Sequence, residues 1–179
     1  MMSSLSVYHV SSPDLPNKVL THFEDIAATL VERGVGFERW PASVRVEPGT
    51  AEQEVLAACR EALDQLSVER GHGSFVVLSR KGSFADIDAN LPEEQRLDAA
   101  QAHWFVAGRG LLYLHIDDYV YGLVCERHDL VSLPAGIAHW FDMGERPNLL
   151  AIRLSGKDAA QAAKATGDDI ASRFPRLED

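Results

Sequence analysis

Cysteine is scarce in this sequence. Cys59 and Cys125 are the only two among 179 residues, and they lie in unrelated segments. A disulfide framework or a thiolate metal cage therefore has no basis, and the usage fits a reducing, cytoplasmic setting. Basic charge is also short: 17 Lys and Arg stand against 27 Asp and Glu, a formal net charge of -10. That balance repels nucleic acid and anionic membrane surfaces, so neither is expected as a partner. Long apolar runs are missing, with none near the ~20 residues a membrane-spanning helix needs. Met1 to Val10 carries no basic flank and no extended apolar stretch, so a signal peptide is not expected. Against these absences, 46% of residues are hydrophobic, enough to pack one core in a chain of this length.

The chain changes character about 70 residues in. Ser4 to Val10 alternates and reads as a short strand. Asn17 to Arg33 places Leu20, Phe23, Ala27, Leu30 and Val31 at helical spacing, with Gly34 where a helix would stop. Gly36 to Trp40 reads as an extended exit. Thr50 and Gln53 have the spacing of a capping box, and the helix they would start puts Val55, Leu56, Cys59, Leu63 and Leu66 on one face and ends near Gly71. Ser74 to Ser79 is a β run, and Lys81 to Asp98 is polar and without clear periodicity. From Gln101 to Leu154 short strands follow one another: QAHWFVAG, GLLYLHI, YVYGLV, DLVSLPAG, HWFDM and NLLAIRL. Tight turns separate them at Gly108-Arg109-Gly110, Asp117-Asp118 and Glu126-Arg127-His128. This pattern implies a closed barrel or a double-sheet jelly roll. No internal repeat or linker interrupts it, so a single domain over 1–179 is expected, with a helical part over 14–71, a barrel core over about 74–155 and a tail over 156–179.

Pro134-Ala135-Gly136-Ile137-Ala138-His139 has the form P-x-G-x-x-H, a turn that delivers a histidine into a barrel. Trp140-Phe141-Asp142-Met143-Gly144 follows, then Pro147-Asn148 and Ala151-Ile152-Arg153. Phe37-Glu38-Arg39-Trp40 stands near the start and Thr166-Gly167-Asp168-Asp169-Ile170-Ala171-Ser172 near the end. In this order the motifs resemble the acireductone dioxygenase family of the cupins, over nearly the whole chain. The resemblance implies a mainly β cupin fold, a jelly-roll barrel with two N-terminal helices packed outside. It also implies an iron or nickel ion held by three His and one Glu, which chelates an enediol substrate.

The ligand positions depart from the family pattern. Its first motif is H-x-H, three residues, Glu, six residues and Gly. With Gly108 as anchor, Gln101 takes the Glu position, Leu97 the second His position and Gln95 the first. No histidine lies between His72 and His103, so a shifted register restores nothing. Only His139 of the four remains. Four-ligand metal sites are worth roughly 10–16 kcal/mol. One imidazole's share of that corresponds to about millimolar affinity, so no metal cofactor is expected from the ligand count.

Alternation along the strand puts Gln101 and His103 on one face, which the resemblance makes the inward one if Gln101 takes the Glu position, and the resemblance matches Arg153 to an arginine that lines the family's pocket. The expected interior set is then Gln101, His103, Phe105, His139, Phe141 and Arg153, near Gln95 and Leu97. His103, His139 and Arg153 are the candidate catalytic groups. Two imidazoles and a guanidinium could move a proton on an enolisable small molecule, as a metal-independent isomerase, tautomerase, lyase or cyclase. An alternative is an acireductone dioxygenase-type oxygenase with a rearranged iron or nickel site made from His103, His139 and a carboxylate of the 81–98 segment, Glu93, Glu94 or Asp98, with Glu94 the better candidate. A third reading is a non-catalytic barrel that binds a small ligand. The expected partner in each case is a small molecule, with the protein a monomer or homodimer. Trp104 and Trp140 are expected to be packing residues whose indole N–H groups need acceptors. His9, His22, His72, His115 and His128 read as surface or edge residues, and Asp168-Asp169 as a helix start.

Overall fold

The computed structural model describes residues 3–41, 44–71, 73–82, 93–96, 99–144, 146–156 and 164–177. Leu97 and Asp98 lie outside the described residues, as does most of the 81–98 stretch. The elements in chain order are β1 (Ser4–His9), β2 (Lys18–Leu20), α1 (Phe23–Val31), β3 (Gly36–Arg39), α2 (Glu52–Ala58), α3 (Arg60–Arg70), β4 (Ser74–Lys81), β5 (Gln95–Arg96), β6 (Gln101–Ile116), β7 (Tyr119–Glu126), β8 (Asp129–Leu133), β9 (Ala138–Asp142), β10 (Asn148–Ser155), β11 (Lys164–Ala165) and a 3-10 turn of helix, Ile170–Arg173.

All strand pairs are antiparallel, and they form the two layers of a jelly roll. One sheet has the order β11-β5-β9-β6-β7-β1-β2. The other runs β4-β10-β6-β8-β3. Strand β6 belongs to both. Its first half, from Gln101, pairs with β8 and β10, and its second half, Arg109–Ile116, pairs with β7, while Leu111–His115 also pairs with β9. The sequence reading split β6 into two strands at Gly108. The structure keeps it continuous through a bulge, since Ala151 faces Phe105 while Leu150 faces Ala107. The extra residue reverses which side chains point inward. Phe105 faces the interior before the bulge, and Leu112 and Leu114 face it afterwards.

Three apolar clusters follow from this layering. The barrel interior holds Phe105, Leu112, Leu114, Val131, Leu133, Leu149 and Ala151, and α1 adds Ile26 and Leu30 to it. The outer face of the second sheet carries Trp104, Leu130, Leu150, Ile152 and Leu154, covered by Val55, Cys59, Leu63 and Leu66 of α2 and α3. Tyr113 and Trp140 on the outer face of the first sheet are covered by Ile170, Ala171, Phe174 and Leu177 of the tail. Trp104 donates its indole N–H to the Trp40 carbonyl at 2.7 Å, as a buried indole requires.

Several local expectations are corrected. The expected helical part over 14–71 also contains strand β2, which joins β1, besides β3, which agrees with the extended reading of Gly36 to Trp40. Lys18–Leu20 pairs with β1 instead of opening the first helix, so tertiary pairing overrides the helical spacing there. The two expected helices are three, since the second breaks at Cys59 (φ -97°, ψ 8°). Thr50 forms no capping box; its hydroxyl donates to the Glu47 carbonyl at 2.6 Å, and Ala51 occupies the cap position. Gly71 does end α3, in the left-handed region at φ 73°. Asp168 accepts the Ile170 N–H at 3.0 Å, so the acidic pair near the tail does start a helical turn.

Candidate functional site inside the barrel

Strands β6, β9 and β10 bring the expected polar residues together. His103 on β6 lies directly opposite Arg153 on β10. His139 on β9 lies opposite Leu114 of β6 on one side and Gln95 of β5 on the other. Residues directly opposite share a face, so Gln95 and His139 point to the same side. Phe141 lies 6.2 Å from the His103 ring and 6.0 Å from the Phe105 ring, between centroids, and walls the site with carbon. Gly110 makes room for it: a Cβ there would lie 2.4 Å from the Phe141 ring.

Two buried nitrogens in this set are orphaned. His103 is 2% exposed, and its Nε2 has no hydrogen-bond partner among the described residues. The same holds for Nε of Arg153. Unsatisfied buried groups of this kind cost about 1–3 kcal/mol each, and a polar ligand would offset that cost. His139 differs, because its Nδ1–H donates to the Ile137 carbonyl at 3.1 Å. That bond fixes the tautomer and leaves the Nε2 lone pair free.

Burial holds the imidazoles neutral. The proton affinity of His103 falls well below the usual histidine value, first because of burial and then because of the Arg153 and His139 charges. That of His139 is lowered by burial too, partly countered by its bond to Ile137 and by Glu94. Burial also lowers the value for Arg153. The unfolded chain therefore binds protons on both histidines at a pH where the folded chain does not. The stability gained by keeping them neutral is complete above the ordinary value of 6.5 and is lost as pH falls below it. Each such histidine contributes a slope of about 1.4 kcal/mol per pH unit. Chemical denaturation between pH 7.5 and 5 should show this slope, and His103→Gln should remove one histidine's share. An unchanged slope in the variant would contradict the assignment.

Glu94 does not join this set. It is 3% exposed, yet its carboxylate accepts from Thr166 Oγ1 at 2.7 Å and meets His115 Nδ1 at 2.7 Å. It precedes Gln95 by one residue, and its partner His115 lies opposite Ala138 rather than His139, so it serves the outer face of β5. Among the described residues, no group of three or more His, Cys, Asp and Glu is placed to hold a metal ion. His103, His139 and Glu94 are thus not assembled as a ligand triad, which corrects that expectation. The inward donors are two imidazoles and the amides of Gln95 and Gln101. They do not fit a four-ligand centre of three His and one Glu. Sequence reading also missed the Glu94–His115–Thr166 link, having placed His115 at the surface. Only the fold brings these three positions, far apart in the chain, within bonding distance.

Residues 7–162 match the sequence model of the ARD/ARD' family. The chain belongs to that family. It is 59% identical to the acireductone dioxygenase of Pseudomonas fluorescens strain Pf-5, covering 99% of this chain and 100% of that one. Identity to the acireductone dioxygenase of Pseudomonas syringae pv. syringae is 55%, and to that of Pseudomonas aeruginosa strain PAO1 49%, with the same coverage. Among solved structures, the acireductone dioxygenase from Bacillus anthracis with a cadmium ion in its active centre superposes with a TM-score of 0.72 at 21% identity. The match covers 90% of this chain and 97% of that one, and it supports the cupin-type fold. The end-to-end relation to ARD/ARD' proteins overturns the reading of a metal-independent isomerase, tautomerase, lyase or cyclase, because the relatives carry the name of an oxygenase. It likewise overturns the expectation of no cofactor, since the structurally similar protein holds a metal ion in its active centre. Counting the ligands of two motifs weighed four positions against a similarity spread over the whole chain. No helix among the described residues is long and apolar enough to cross a membrane.

Proposed function

We propose that this chain is an acireductone dioxygenase-type oxygenase that takes its enediol substrate inside the barrel. The observation carrying this reading is the 59% identity, end to end, with a protein of that name. The polar interior supports it. Arg153 offers a buried donor to an enolate oxygen, and Phe105 and Phe141 exclude water from one side. His103, held neutral by burial, can hydrogen-bond an enediol oxygen through its unpartnered Nε2, directly opposite the guanidinium of Arg153, which stabilises negative charge on that oxygen. His139 presents its Nε2 to the same space.

The test is oxygen uptake. Purified protein is supplied with Fe(II) in one arm and Ni(II) in another, then mixed with anaerobically prepared acireductone and oxygen. Enediol absorbance and dissolved oxygen should fall together, faster than in blanks holding metal alone. Absence of protein-dependent oxygen consumption with either metal would overturn the reading.

A further inference from the structure

The bulge in β6 borders a second cavity, on the outside of the barrel. A cleft of about 390 Å³ lies beside Gly108, between the 45–48 loop, the start of β10 and the turn that joins β7 to β8. That size suits a small molecule. Arg109 follows the bulge and shares a face with Leu111, which packs in the outer cluster under the tail, so it points out of the barrel. Three guanidiniums line the cleft, those of Arg45, Arg109 and Arg127, in a chain with a net charge of -10. The two carboxylates among them, Glu47 and Glu126, compensate them poorly. Glu47 meets Arg45 at 3.8 Å with both side chains more than three-quarters exposed, and a pair of that kind contributes little. Glu126 lies directly across the ladder from Arg109. Yet among the described residues no ion pair joins Arg109 or Arg127 to a carboxylate. The Nε of Arg109 is buried without a hydrogen-bond partner, so the stem is packed in place while its charge lacks a counter-ion.

We infer that this cleft binds the phosphate group of a small soluble ester, with Arg109 and Arg127 as its principal donors and Arg45 as a third. A phosphate monoester carries about -1.5 to -2 charges at neutral pH and three acceptor oxygens. Planar guanidiniums fork onto such oxygens two bonds at a time. A monocarboxylate brings a single charge, which the two unpaired guanidiniums outnumber. The acidity of the whole chain sets it against an anionic bilayer, which favours a soluble ester over a lipid headgroup. Glu126 is the one unpaired carboxylate at the cleft, and it opposes the ligand.

The test is a titration of the nitrogen-15-labelled full chain at constant ionic strength in a buffer without phosphate, first with inorganic phosphate and then with glycerol phosphate. No metal, oxygen or enediol enters it, so its outcome is independent of the oxygenase reading. The Nε–H signals of Arg109 and Arg127 should shift together and saturate, with a dissociation constant of about 1 mM or below for either probe. Arg109→Gln and Arg127→Gln should each weaken binding by at least about fivefold. Arg127 stands in the turn after β7, so its variant keeps the test open if the packed Arg109 proves necessary for folding. Glu126→Gln should tighten binding by about two- to fivefold. Shifts that fail to saturate by about 50 mM phosphate, or that acetate or chloride reproduce at matched ionic strength, would overturn the inference. So would unchanged binding in Arg127→Gln. Binding to phosphatidic acid vesicles with none to glycerol phosphate would overturn it as well, because it would make the ligand a membrane surface.

Discussion

Replacing Arg153 with methionine is expected to lower enediol-dependent oxygen uptake by about 10²–10³-fold while leaving the protein at least as stable as before. The two halves of this expectation have separate causes. The Nε of Arg153 is buried without a partner, and burial lowers its proton affinity, so the folded protein gains little from holding a cation there. Methionine matches the length of the aliphatic stem and removes the desolvated charge. Activity depends on that charge for a different reason. A donor preset beside a developing enolate oxygen contributes most where water is excluded, and Phe105 and Phe141 exclude it on one side. Steady-state kcat/KM and the thermal midpoint, measured on one preparation, separate the two effects. Parallel loss of both would show that Arg153 is a strut of the scaffold rather than a contact to substrate.

Gly108→Ala is expected to destabilise the fold by about 4 kcal/mol or more, at the extreme of single substitutions. Gly108 has φ 72°, where a non-glycine residue is strained by about 1–2 kcal/mol. A Cβ at this position would lie 2.0 Å from the Asn148 carbonyl oxygen and 2.9 Å from the Leu149 Cα. Both neighbours are backbone atoms of the paired strand β10, so no side-chain rotation relieves the overlap. Either β6 or β10 must move, and both carry residues of the site. Urea denaturation should show the midpoint collapsing. A variant within about 1 kcal/mol of the parent would mean that the bulge adapts more freely than its geometry allows.

The barrel itself was legible because alternation and tight turns are local. Each strand from Gln101 to Leu154 could be read from its own residues, and P-x-G-x-x-H located His139. The shared face of Gln101 and His103 followed from period-two counting, whereas Arg153 was placed beside them by the family resemblance. What escaped was set by distant partners. Nothing local in Phe105 to Gly110 announces a bulge that reverses the facing of every later side chain. The cover over Trp140, whose ring stacks on Tyr113 at 4.9 Å, comes from Phe174 and its neighbours in the tail. That tail is fastened by Asp142, which accepts the Leu177 N–H at 2.7 Å. The break at Cys59 has no proline or glycine to mark it. The ligand substitutions were read correctly as letters, but the function drawn from them was not, because four positions say less about chemistry than the chain-wide relation does.

The sharing of β6 between the two layers has a consequence for motion. A sandwich whose sheets have separate central strands can part along its seam, each half opening by itself. Here the same sixteen residues carry ladder hydrogen bonds to β7 and β9 at one end and to β8 and β10 at the other. Neither layer can release its middle without loosening the other, so amide protons along this strand should exchange with deuterium at one common, slowest rate, set by complete unfolding.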